Sequence, residues 1–575
     1  MTICGIKLTH DGAIALIEDS QLIFCYECEK LHNARRHCDF TLTLKDVGDL
    51  LREYGHSFST VDRFVIDGWG EVSTLPVSEG KIYPMTSRLT GASAPISVSG
   101  YGHLFTNEDL LDRSEFRLAG SDLQYSSYLH VAGHVFSAYC TSPFAQCGAG
   151  SFILVWDGVM APQLFHYDPK EKRVSNCGAL FPLLGSIYAQ FPHDYPPFSD
   201  EPLNMGIPGK AMAYVALGSL VPSIRQELHS LFERVRHETE GLAMTPLLVA
   251  IVTKRFLSLA KQYSVRRSIA PADMIANFHY FVEDLLLDSL RRRIKECGVA
   301  DDNLCFSGGS ALNIKWNTAL RECGAFKDVW VPPFPNDSGS AIGTACCELI
   351  RTSQNPALSW SVYSGPSPSV AYVSGESWSR SECSIAELAA VLHETGEPVV
   401  FMDGPAELGP RALGHRSILA SPTDIRTKQV LNDIKARESY RPVAPVCLEE
   451  DAPDVFSPGS PDPYMLFEHR VREPWADRIP AVCHLDGTAR LQTVSYQQNP
   501  TLYELLRSYK GLSGVPVLCN TSANHLGRGF FPDVESAMNW GRTNYIWSGG
   551  YLYTKTNLRP RNRTELGSEA LAPLG

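Results

Sequence analysis

A basic, turn-rich segment at residues 403–445 has the clearest capacity for chemistry. Its seven lysines and arginines outnumber its five carboxylates, in a chain whose formal net charge is −12. Gly409-Pro410, Gly414 and Arg441-Pro442 fix backbone turns, which a merely solvated charged face does not need. Arginine side chains match the oxygens of phosphate and carboxylate groups. The segment therefore predicts a phosphate-binding site, whose converging cations are Arg411, Arg416, Lys435, Arg437 and Arg441.

A second group of residues has the composition of a metal site. His130 and His134 are four residues apart, so on a helix they lie on one face at metal-binding separation. Two histidines at this spacing also occur as core or surface residues without a metal. Asp157 ends an apolar strand-like run, and Asp337 lies in the segment VPPFPNDSGSAIG. These nitrogen and oxygen donors suit Fe(II), Mn(II) or Zn(II), so the residues predict a mononuclear site without selecting the ion.

Glycine-rich turns mark two candidate nucleotide contacts. Residues 306–320 are predicted to run from a strand through Gly308-Gly309 into a helix, with Asn313 and Asn317 on one helix face. Paired glycines let a backbone approach a nucleotide closely. Lys210 follows a glycine at a predicted helix start, where exposed amides and the helix dipole favour anions. An ordinary turn and a surface lysine are the alternatives.

Length and composition limit the class of protein. A chain of 575 residues should form two or three domains, and 44% apolar with 20% charged residues is typical of a soluble globular enzyme. The acidic balance argues against nonspecific nucleic-acid binding. Sixteen cysteines lack the spacing of a disulfide framework or a metal site. With no recognisable secretory or membrane-spanning segment, the sequence predicts a cytoplasmic protein with reduced thiols.

Periodicity and turn residues predict the elements that position these groups. Residues 2–26 predict two strands joined by a turn at residues 19–21, and residues 220–297 predict mostly helix, ending at Gly298. Residues 353–383 are rich in Ser, Pro and Gly and predict a linker. Residues 384–414 then predict a helix, a turn, a buried strand and the anion-binding loop. The pattern indicates two successive α/β domains.

Four phrases in order resemble the O-carbamoyltransferase family, whose members carbamoylate hydroxyl groups of antibiotics and nodulation factors. They are ELGPRALGHRSILASP, IKARESYRPVAP, HLDGTARLQTV and NTSANHLGRG. The resemblance implies an N-terminal domain of the actin-like ATPase (Kae1-like) type at residues 1–352, which binds metal and nucleotide and transfers the carbamoyl group. Beyond the linker at 353–383 it implies a YrdC-like domain at 384–575, which binds carbamoyl phosphate and ATP and performs the adenylation.

The resemblance also implies roles for individual residues. The resemblance implies that His10, followed by Asp11 at the turn where the family carries an HDxxA pattern, corresponds to the base that deprotonates the acceptor hydroxyl. The quartet of His130, His134, Asp157 and Asp337 corresponds to an iron site. Lys435-Ala-Arg437 and Ser522-Ala-Asn524 match the YrdC signature, and Arg490 adds a donor for carbamoyl phosphate. The expected nucleotide contacts are Lys210, Gly308, Gly309, Asn313, Asn520, Ser522, Asn524 and Arg528.

The implied activity is ATP-dependent carbamoylation of a hydroxyl on an antibiotic sugar or polyketide, with Fe(II) as cofactor and Mg-ATP as co-substrate. Carbamate attacks the α-phosphate of ATP, and the resulting carbamoyl adenylate passes internally to the second site. Carbamoyl phosphate, ATP and the hydroxylated small molecule are the expected partners, without nucleic acid or membrane, and relatives are often homodimers. Two alternatives stay open. A tRNA threonylcarbamoyl-transfer enzyme is disfavoured by the acidic balance, and a nucleotide sensor has no use for His10 or a complete metal set.

Overall fold

Three large β-sheets organise the part of the chain that the computed structural model describes, which is residues 1–69, 83–85, 87–90, 96–102, 109–353, 355–368 and 377–556. Strands and helices alternate along the chain, which confirms the predicted α/β class. The Kae1-like and YrdC-like types stay predictions. Within the described ranges, no helix combines the length and the apolar character needed to cross a membrane.

The first sheet is formed within residues 2–128. Its elements and those beside it are β1 (Thr2–Lys7), β2 (Ala13–Glu18), β3 (Gln21–Glu27), α1 (Cys28–Leu31), α2 (Leu44–Glu53), β4 (Arg63–Asp67), β5 (Tyr83–Met85), β6 (Ile96–Val98), β7 (Ser114–Arg117) and β8 (Gln124–Tyr128). The sheet order is β3-β2-β1-β4-β8-β7, and β5 pairs with β6 separately. The expectation of two strands at residues 2–26 is wrong, because the turn between β1 and β2 makes three.

The second sheet belongs to residues 130–352. This region contains α3 (His130–Cys140), α4 (Pro143–Gln146), β9 (Ser151–Val155), β10 (Gln163–Asp168), β11 (Arg173–Ala179), α5 (Ile187–His193), α6 (Ile207–Tyr214), α7 (Pro222–Glu238), α8 (Pro246–Arg267), α9 (Pro271–Cys297), β12 (Asn303–Ser307), α10 (Ile314–Glu322), β13 (Asp328–Trp330) and α11 (Ser340–Thr352). The sheet order is β11-β10-β9-β12-β13. Helices α7, α8 and α9 confirm the helical prediction for 220–297, and Gly298 caps α9 with φ = 70°.

Helices α3 and α11 lie between the first two sheets and share one core with both. Val65 of β4, Val135 of α3 and Ile153 of β9 are members of that core. The two helices approach so closely that a Cβ on Gly343 would lie 2.0 Å from the carbonyl oxygen of Gly133. Because β4 and β8 are parallel, as are β9 and β12, their carboxyl ends meet the start of α3 at one end of this core.

The third sheet is formed by residues 378–555. Its region contains β14 (Trp378–Glu382), α12 (Ile385–Thr395), β15 (Val399–Met402), β16 (Arg416–Ala420), α13 (Arg426–Ile434), β17 (Ala444–Leu448), α14 (Ala452–Val455), β18 (Phe456–Ser457), β19 (His469–Val471), α15 (Glu473–Ala476), β20 (Thr488–Ala489), β21 (Gln492–Val494), α16 (Pro500–Ser513), β22 (Val517–Ser522), α17 (Val534–Trp540), β23 (Tyr545–Ser548) and β24 (Tyr551–Lys555). The order is β14-β24-β23-β15-β16-β22-β17-β21, and β18, β19 and β20 form a small sheet beside it. Helix α12 followed by β15 confirms the predicted helix and buried strand.

The segment predicted as a linker, residues 353–383, is more ordered than its composition indicates. Its last residues form β14, which pairs with β24 and so belongs to the third sheet. Earlier in the segment, Ser359 and Ser364 accept hydrogen bonds of 2.8 Å from the backbone of β3. Residue 354 and residues 369–376 lie outside the described residues. The linker prediction is therefore wrong for residues 378–382, because serine-rich composition does not reveal an edge strand.

Replacing Gly343 with alanine should destabilise the protein by about 1–3 kcal/mol, because the new methyl group forces α3 and α11 apart. Thermal unfolding of the purified variant measures the effect. Gly511→Ala is the matched control, since Gly511 lies in α16 with nothing within 4 Å of an added Cβ. That change should leave stability unaltered or raise it by about 0.5–1 kcal/mol. Equal unfolding temperatures for the two variants would contradict the close helix approach.

Candidate functional site

Four side chains converge where α3 and α11 begin. His130 and His134 project from the first turns of α3, Asp157 follows β9, and Asp337 lies in a short turn before α11. One ligand atom from each lies within 4.8 Å of the others. The two Nε2 atoms are 3.1 Å apart, and each is 3.4 Å from Oδ1 of Asp337. The structure thus brings together all four residues that the sequence predicted as a metal site.

Hydrogen bonds from a surrounding layer orient these donors. Nδ1 of His130 lies 2.9 Å from both carboxylate oxygens of Asp67, and Nδ1 of His134 lies 3.4 Å from Oγ of Ser307. Asp157 accepts 2.8 Å from the amide of Gly309 and also accepts from the Tyr101 hydroxyl. Bonds at Nδ1 leave both Nε2 atoms facing the centre. Such outer partners are what metal-ligating histidines have in known sites, so the residues fit a divalent transition metal.

A buried lysine balances the charge of this centre. Lys7, the last residue of β1, places Nζ 3.0 Å from Oδ2 of Asp337 and 3.2 Å from Oδ2 of Asp67. Burial alone raises the pKa of the Asp337 carboxyl, but Lys7 and His130 overcome that effect and hold it well below its usual value. Sequence reasoning assigned Lys7 no role. Its available signal was a lysine ending an otherwise apolar strand, TICGIK.

His10 reaches the same centre from the turn after β1. Its Nε2 is 3.2 Å from Oδ2 of Asp337, and its ring meets the ring of Trp69 edge-on at 5.2 Å. The side chain is 29% exposed, which leaves a face for a substrate. Asp11 turns away from the metal centre: its Oδ1 lies 2.7 Å from Nδ1 of His37. The role of His10 as a base stays a prediction. Asp11 is hydrogen-bonded to a second histidine, His37.

The Gly308-Gly309 turn contributes backbone to the metal centre. Gly308 has φ = 89°, and an added Cβ would lie 2.5 Å from the carbonyl oxygen of Trp156. The predicted face shared by Asn313 and Asn317 is wrong, because Asn313 caps α10 by accepting from the Lys315 and Trp316 amides. Asn317 is buried and donates to the carbonyls of Ala311 and Leu466. Both asparagines therefore have structural roles in the fold, and their contact with a nucleotide stays a prediction.

Lys210 lies inside α6 rather than before it, which corrects the predicted helix start. Its Nζ is 2.8 Å from Glu201 and 3.1 Å from Glu438. Glu438 belongs to the basic segment of the C-terminal half, between Arg437 and Arg441. Lys210 therefore links the two halves at the edge of the predicted phosphate site, and its amine is already occupied by carboxylates.

Arginines from three connecting segments converge in the C-terminal half. Burial, and then the charges of their neighbours, lower the pKa of each guanidinium, to about 9 for Arg437 and about 10 for Arg490. The pKa of Arg411 is lowered in the same way, whereas that of Arg441 is lowered by burial although Glu438 and Tyr440 raise it. Among the residues that the structure describes, Arg411, Arg437 and Arg490 form no ion pair, and their buried Nε atoms have no hydrogen-bond partner. Buried cations that lack partners are unfavourable, so an anion that binds among them would stabilise them.

Arg416 does not belong to this cluster, in contrast to the sequence prediction. Its buried guanidinium donates to the carbonyls of Asp403, Gly404, His415 and Pro366. The side chain therefore holds the loop before β16 in place. Sequence spacing could not reveal this, because an arginine that binds backbone carbonyls and one that binds phosphate have the same neighbours along the chain.

The two segments that match the YrdC signature in sequence lie in contact, and the YrdC type stays a prediction. Nζ of Lys435 donates to the carbonyls of Ser522 and Asn524 at 2.7 Å and to Oδ1 of Asn524. Burial, then Arg437 and Arg36, holds the pKa of Lys435 well below its usual value. Asn520 donates to the Ala412 carbonyl and to Gln492, while its buried Oδ1 lacks a partner.

Two arginines at the edge of this region, Arg528 and Arg36, have surroundings that the sequence did not predict. Arg528 is exposed and donates to the carbonyl of Asn33, so the predicted nucleotide contact is directed toward the N-terminal half. Sequence reasoning gave Arg36 no role. Its positive charge is one of the causes that lower the pKa of Arg411, Lys435 and Arg441. Its signal in the sequence was the basic run Arg35-Arg36-His37.

Comparisons with known proteins assign the chain to a family. The model described as Carbamoyltransferase N-terminus matches residues 2–346, and the one described as Carbamoyltransferase C-terminus matches residues 389–554. The chain therefore belongs to the carbamoyltransferase family and is a transferase, as the sequence predicted.

Relatives of two kinds match nearly the whole chain. Nodulation protein U of Rhizobium tropici is 47% identical over 96% of this chain and 96% of that protein. Its counterpart from Sinorhizobium fredii (strain NBRC 101917 / NGR234) is 45% identical over 96% and 99%. The 3′-hydroxymethylcephem-O-carbamoyltransferase of Streptomyces clavuligerus is 32% identical over 94% and 96%. A solved structure of HypF, in a phosphate- and nucleotide-bound form, has 11% identity and a TM-score of 0.31 over 61% of this chain and 56% of that one, too low to assign a fold.

Replacing Asp67 with asparagine should weaken metal binding about 10- to 100-fold, because an amide no longer fixes the orientation and basicity of His130. Calorimetric titration of metal-stripped protein with Zn(II) measures the change. Asp122→Asn is the control, since that side chain is 99% exposed and lies outside the four-ligand set. Unchanged affinity in Asp67→Asn would remove Asp67 from the account of the site.

Metal affinity should rise with pH between 6 and 8. Burial lowers the pKa of His130, but Asp67 and Asp337 more than offset it and raise the pKa to about 9. At pH 7 a metal must therefore displace a proton, so affinity gains up to about tenfold per pH unit. In the metal-free protein the same ion pair stabilises the fold fully below about pH 6.5, and that stability is lost as pH rises through 9. Zn(II) titrations at pH 6, 7 and 8 test this, and a flat profile would contradict it.

Proposed function

We propose that this carbamoyltransferase is ATP-dependent and works in two steps, each in a different half of the chain. Carbamoyl phosphate and ATP would give carbamoyl adenylate in the C-terminal half, and a hydroxyl group would receive the carbamoyl group in the N-terminal half. The observation that carries the proposal is the pairing of two unlike sites. One is a group of partly buried arginines, of which Arg411, Arg437 and Arg490 form no ion pair among the described residues, and the other is a His/Asp centre with His10 beside it.

The first step needs positive charge without proton chemistry, and the arginine cluster supplies it. One water molecule attacks the phosphorus of carbamoyl phosphate, the bond from phosphorus to the carbamate oxygen breaks, and carbamate, inorganic phosphate and a proton are formed. A carbamate oxygen then attacks the α-phosphorus of Mg-ATP, the bond to the β-phosphate breaks, and pyrophosphate leaves. Arg411, Arg437 and Arg490 have the unpaired donors to balance phosphate charge in a site with little water. Burial and neighbouring arginines lower the pKa of Arg437 and Arg490, so a bound anion would stabilise the charged form of both guanidinium groups.

The second step needs a base beside an activated carbonyl. The acceptor oxygen attacks the carbamoyl carbon, the bond to the AMP oxygen breaks, and AMP leaves. His10 would accept the hydroxyl proton at one ring nitrogen, because it combines partial exposure with a position 3.2 Å from Asp337. Fe(II), or Mn(II) or Zn(II), held by the quartet would supply Lewis acidity toward the carbamoyl oxygen.

The acceptor class is proposed from the relatives. Those named nodulation protein U are 41–47% identical to this chain, whereas those named cephem carbamoyltransferases are 31–32% identical. A nodulation-factor hydroxyl is therefore the first candidate. An antibiotic sugar or polyketide hydroxyl is the second.

Arg490→Ala should abolish pyrophosphate formation, because it removes an unpaired donor from the anion site.

His134→Ala should keep pyrophosphate formation and lose transfer, because it removes only a metal ligand. Both are measured in one assay with ATP, carbamoyl phosphate, Mg(II) and Fe(II), following AMP, pyrophosphate and label in a panel of acceptors. The panel contains a nodulation factor, a 3′-hydroxymethylcephem, an aminoglycoside and tRNA.

The matched control is Arg507→Ala, a change at an exposed arginine on α16 that pairs with Glu504. It should retain both activities. Release of only ADP and phosphate by the unmodified protein would reject the carbamoyl adenylate route. Label found in tRNA alone would favour the threonylcarbamoyl-type alternative, and the absence of any turnover would favour the nucleotide sensor.

A further inference from the structure

The loop at residues 32–38 lies against both halves of the chain. Its backbone forms an antiparallel bridge with the segment that follows Asn524. The amide of Arg36 donates 2.9 Å to the Gly527 carbonyl, and the amide of Gly529 donates 3.0 Å to the Ala34 carbonyl. The loop is therefore held by main-chain bonds beside the S-x-N signature of the C-terminal half.

Glu27 and Lys30, which precede the loop, are hydrogen-bonded to the anion-binding loop. Lys30 is buried, and its Nζ donates to the carbonyls of Glu407 and Gly409 at 2.6 and 2.7 Å. Glu27 accepts 2.8 Å from the amide of Gly409. These bonds fix the N-terminal half to the glycine-proline turn that precedes Arg411, so the relative position of loop and cluster is defined.

The backbone of Arg36 is bonded to Gly527, three residues after Asn524, whose carbonyl accepts from Lys435 beside the arginine cluster. After burial, the charge of Arg36 is among the causes that lower the pKa of Arg411, Lys435 and Arg441. Within the described ranges its guanidinium forms no ion pair, and the residue is exposed. A solvated arginine is the ordinary reading of such a residue. Here, however, three other cations lie nearby and the backbone is fixed, so the side chain stands at the mouth of an anion site.

The next residue along the loop faces the other site. Nδ1 of His37 lies 2.7 Å from Oδ1 of Asp11, and its amide donates 2.7 Å to Glu29. Asp11 directly follows His10, and its Oδ2 accepts from Asn336, the neighbour of Asp337. Arg36, at the anion site, and His37, which is hydrogen-bonded to Asp11 in the turn of His10, are therefore adjacent in the sequence.

We infer that Arg36 is an anion ligand supplied by the N-terminal half to the C-terminal site, and that its engagement orders the Asp11–His37 pair beside His10. Arg36 is then a positioning residue for the acceptor site as well as a ligand for phosphate. The inference rests on the proposed function, because it takes the arginine cluster as the site for ATP and carbamoyl phosphate. It adds a physical link by which filling one site prepares the other.

The test uses inorganic pyrophosphate as the probe on the full chain. Arg36→Ala should weaken pyrophosphate binding about tenfold in calorimetry, the usual size for a lost charge-assisted hydrogen bond. Arg36→Lys should recover part of the affinity, because it keeps the charge but not the planar fork. Arg35→Ala is the matched control, since Arg35 is the exposed neighbour and makes its bridge through backbone. It should bind as tightly as the unmodified chain.

Hydrogen exchange separates the link from simple binding. Saturating pyrophosphate should slow exchange at residues 8–13 and 37–40 in the unmodified chain and in Arg35→Ala, but not in Arg36→Ala at equal saturation. Protection that persists in Arg36→Ala, or unchanged affinity in that variant, overturns the inference. If Arg437→Ala also leaves pyrophosphate binding unchanged, the arginine cluster is not the anion site and the proposed function fails with it. Weakened binding in Arg437→Ala alone would reject only the role of Arg36.

Discussion

The carboxylate of Asp337 is the point on which the N-terminal half depends. It is buried between two helices and is approached by Lys7, His10, His130 and His134. An isolated carboxylate in this position would be strongly unfavourable, so Lys7 and His130 keep it ionised by holding its pKa low. The four partners come from three elements: Lys7 from the end of β1, His10 from the turn after it, and both histidines from the first turns of α3. The packing of α3 against α11, at a glycine contact, is what allows these elements to meet.

The C-terminal half presents the opposite electrostatic condition. Glu407 is buried there and accepts from the amides of Leu413, His415 and Arg416, so that the anion-binding loop keeps its shape without using an arginine as a counterion. Arg441 pairs with Glu438, whereas Arg411, Arg437 and Arg490 form no ion pair among the described residues. The protein therefore holds a nearly balanced site and an unbalanced one. The balanced site suits proton and metal chemistry, and the unbalanced site suits phosphate, which is the division of labour that a two-step carbamoyl transfer requires.

The sequence predicted the elements and the ligand sets better than it predicted the duties of single side chains. The four-residue spacing of His130 and His134 placed both on α3, and the turn residues around Gly409 predicted the loop. Arg416, Lys210 and Asn313 have partners that the sequence did not predict, namely backbone carbonyls, carboxylates and helix amides, because these partners are distant in sequence or do not appear in a motif. Lys7 and Arg36 were missed because their partners are distant in sequence: Lys7 pairs with Asp67 and Asp337, and the charge of Arg36 acts on Arg411.

The most direct test of the two-site account is carbamoyl phosphate-dependent exchange of labelled pyrophosphate into ATP, measured on protein stripped of its transition metal with Mg(II) kept in excess. This exchange reports only the reversible adenylation step and needs no acceptor. The account predicts exchange at a rate close to that of the metal-loaded protein, because the arginine cluster contains no residue of the His/Asp quartet. Exchange that disappears with the metal, or that proceeds without carbamoyl phosphate, would contradict it.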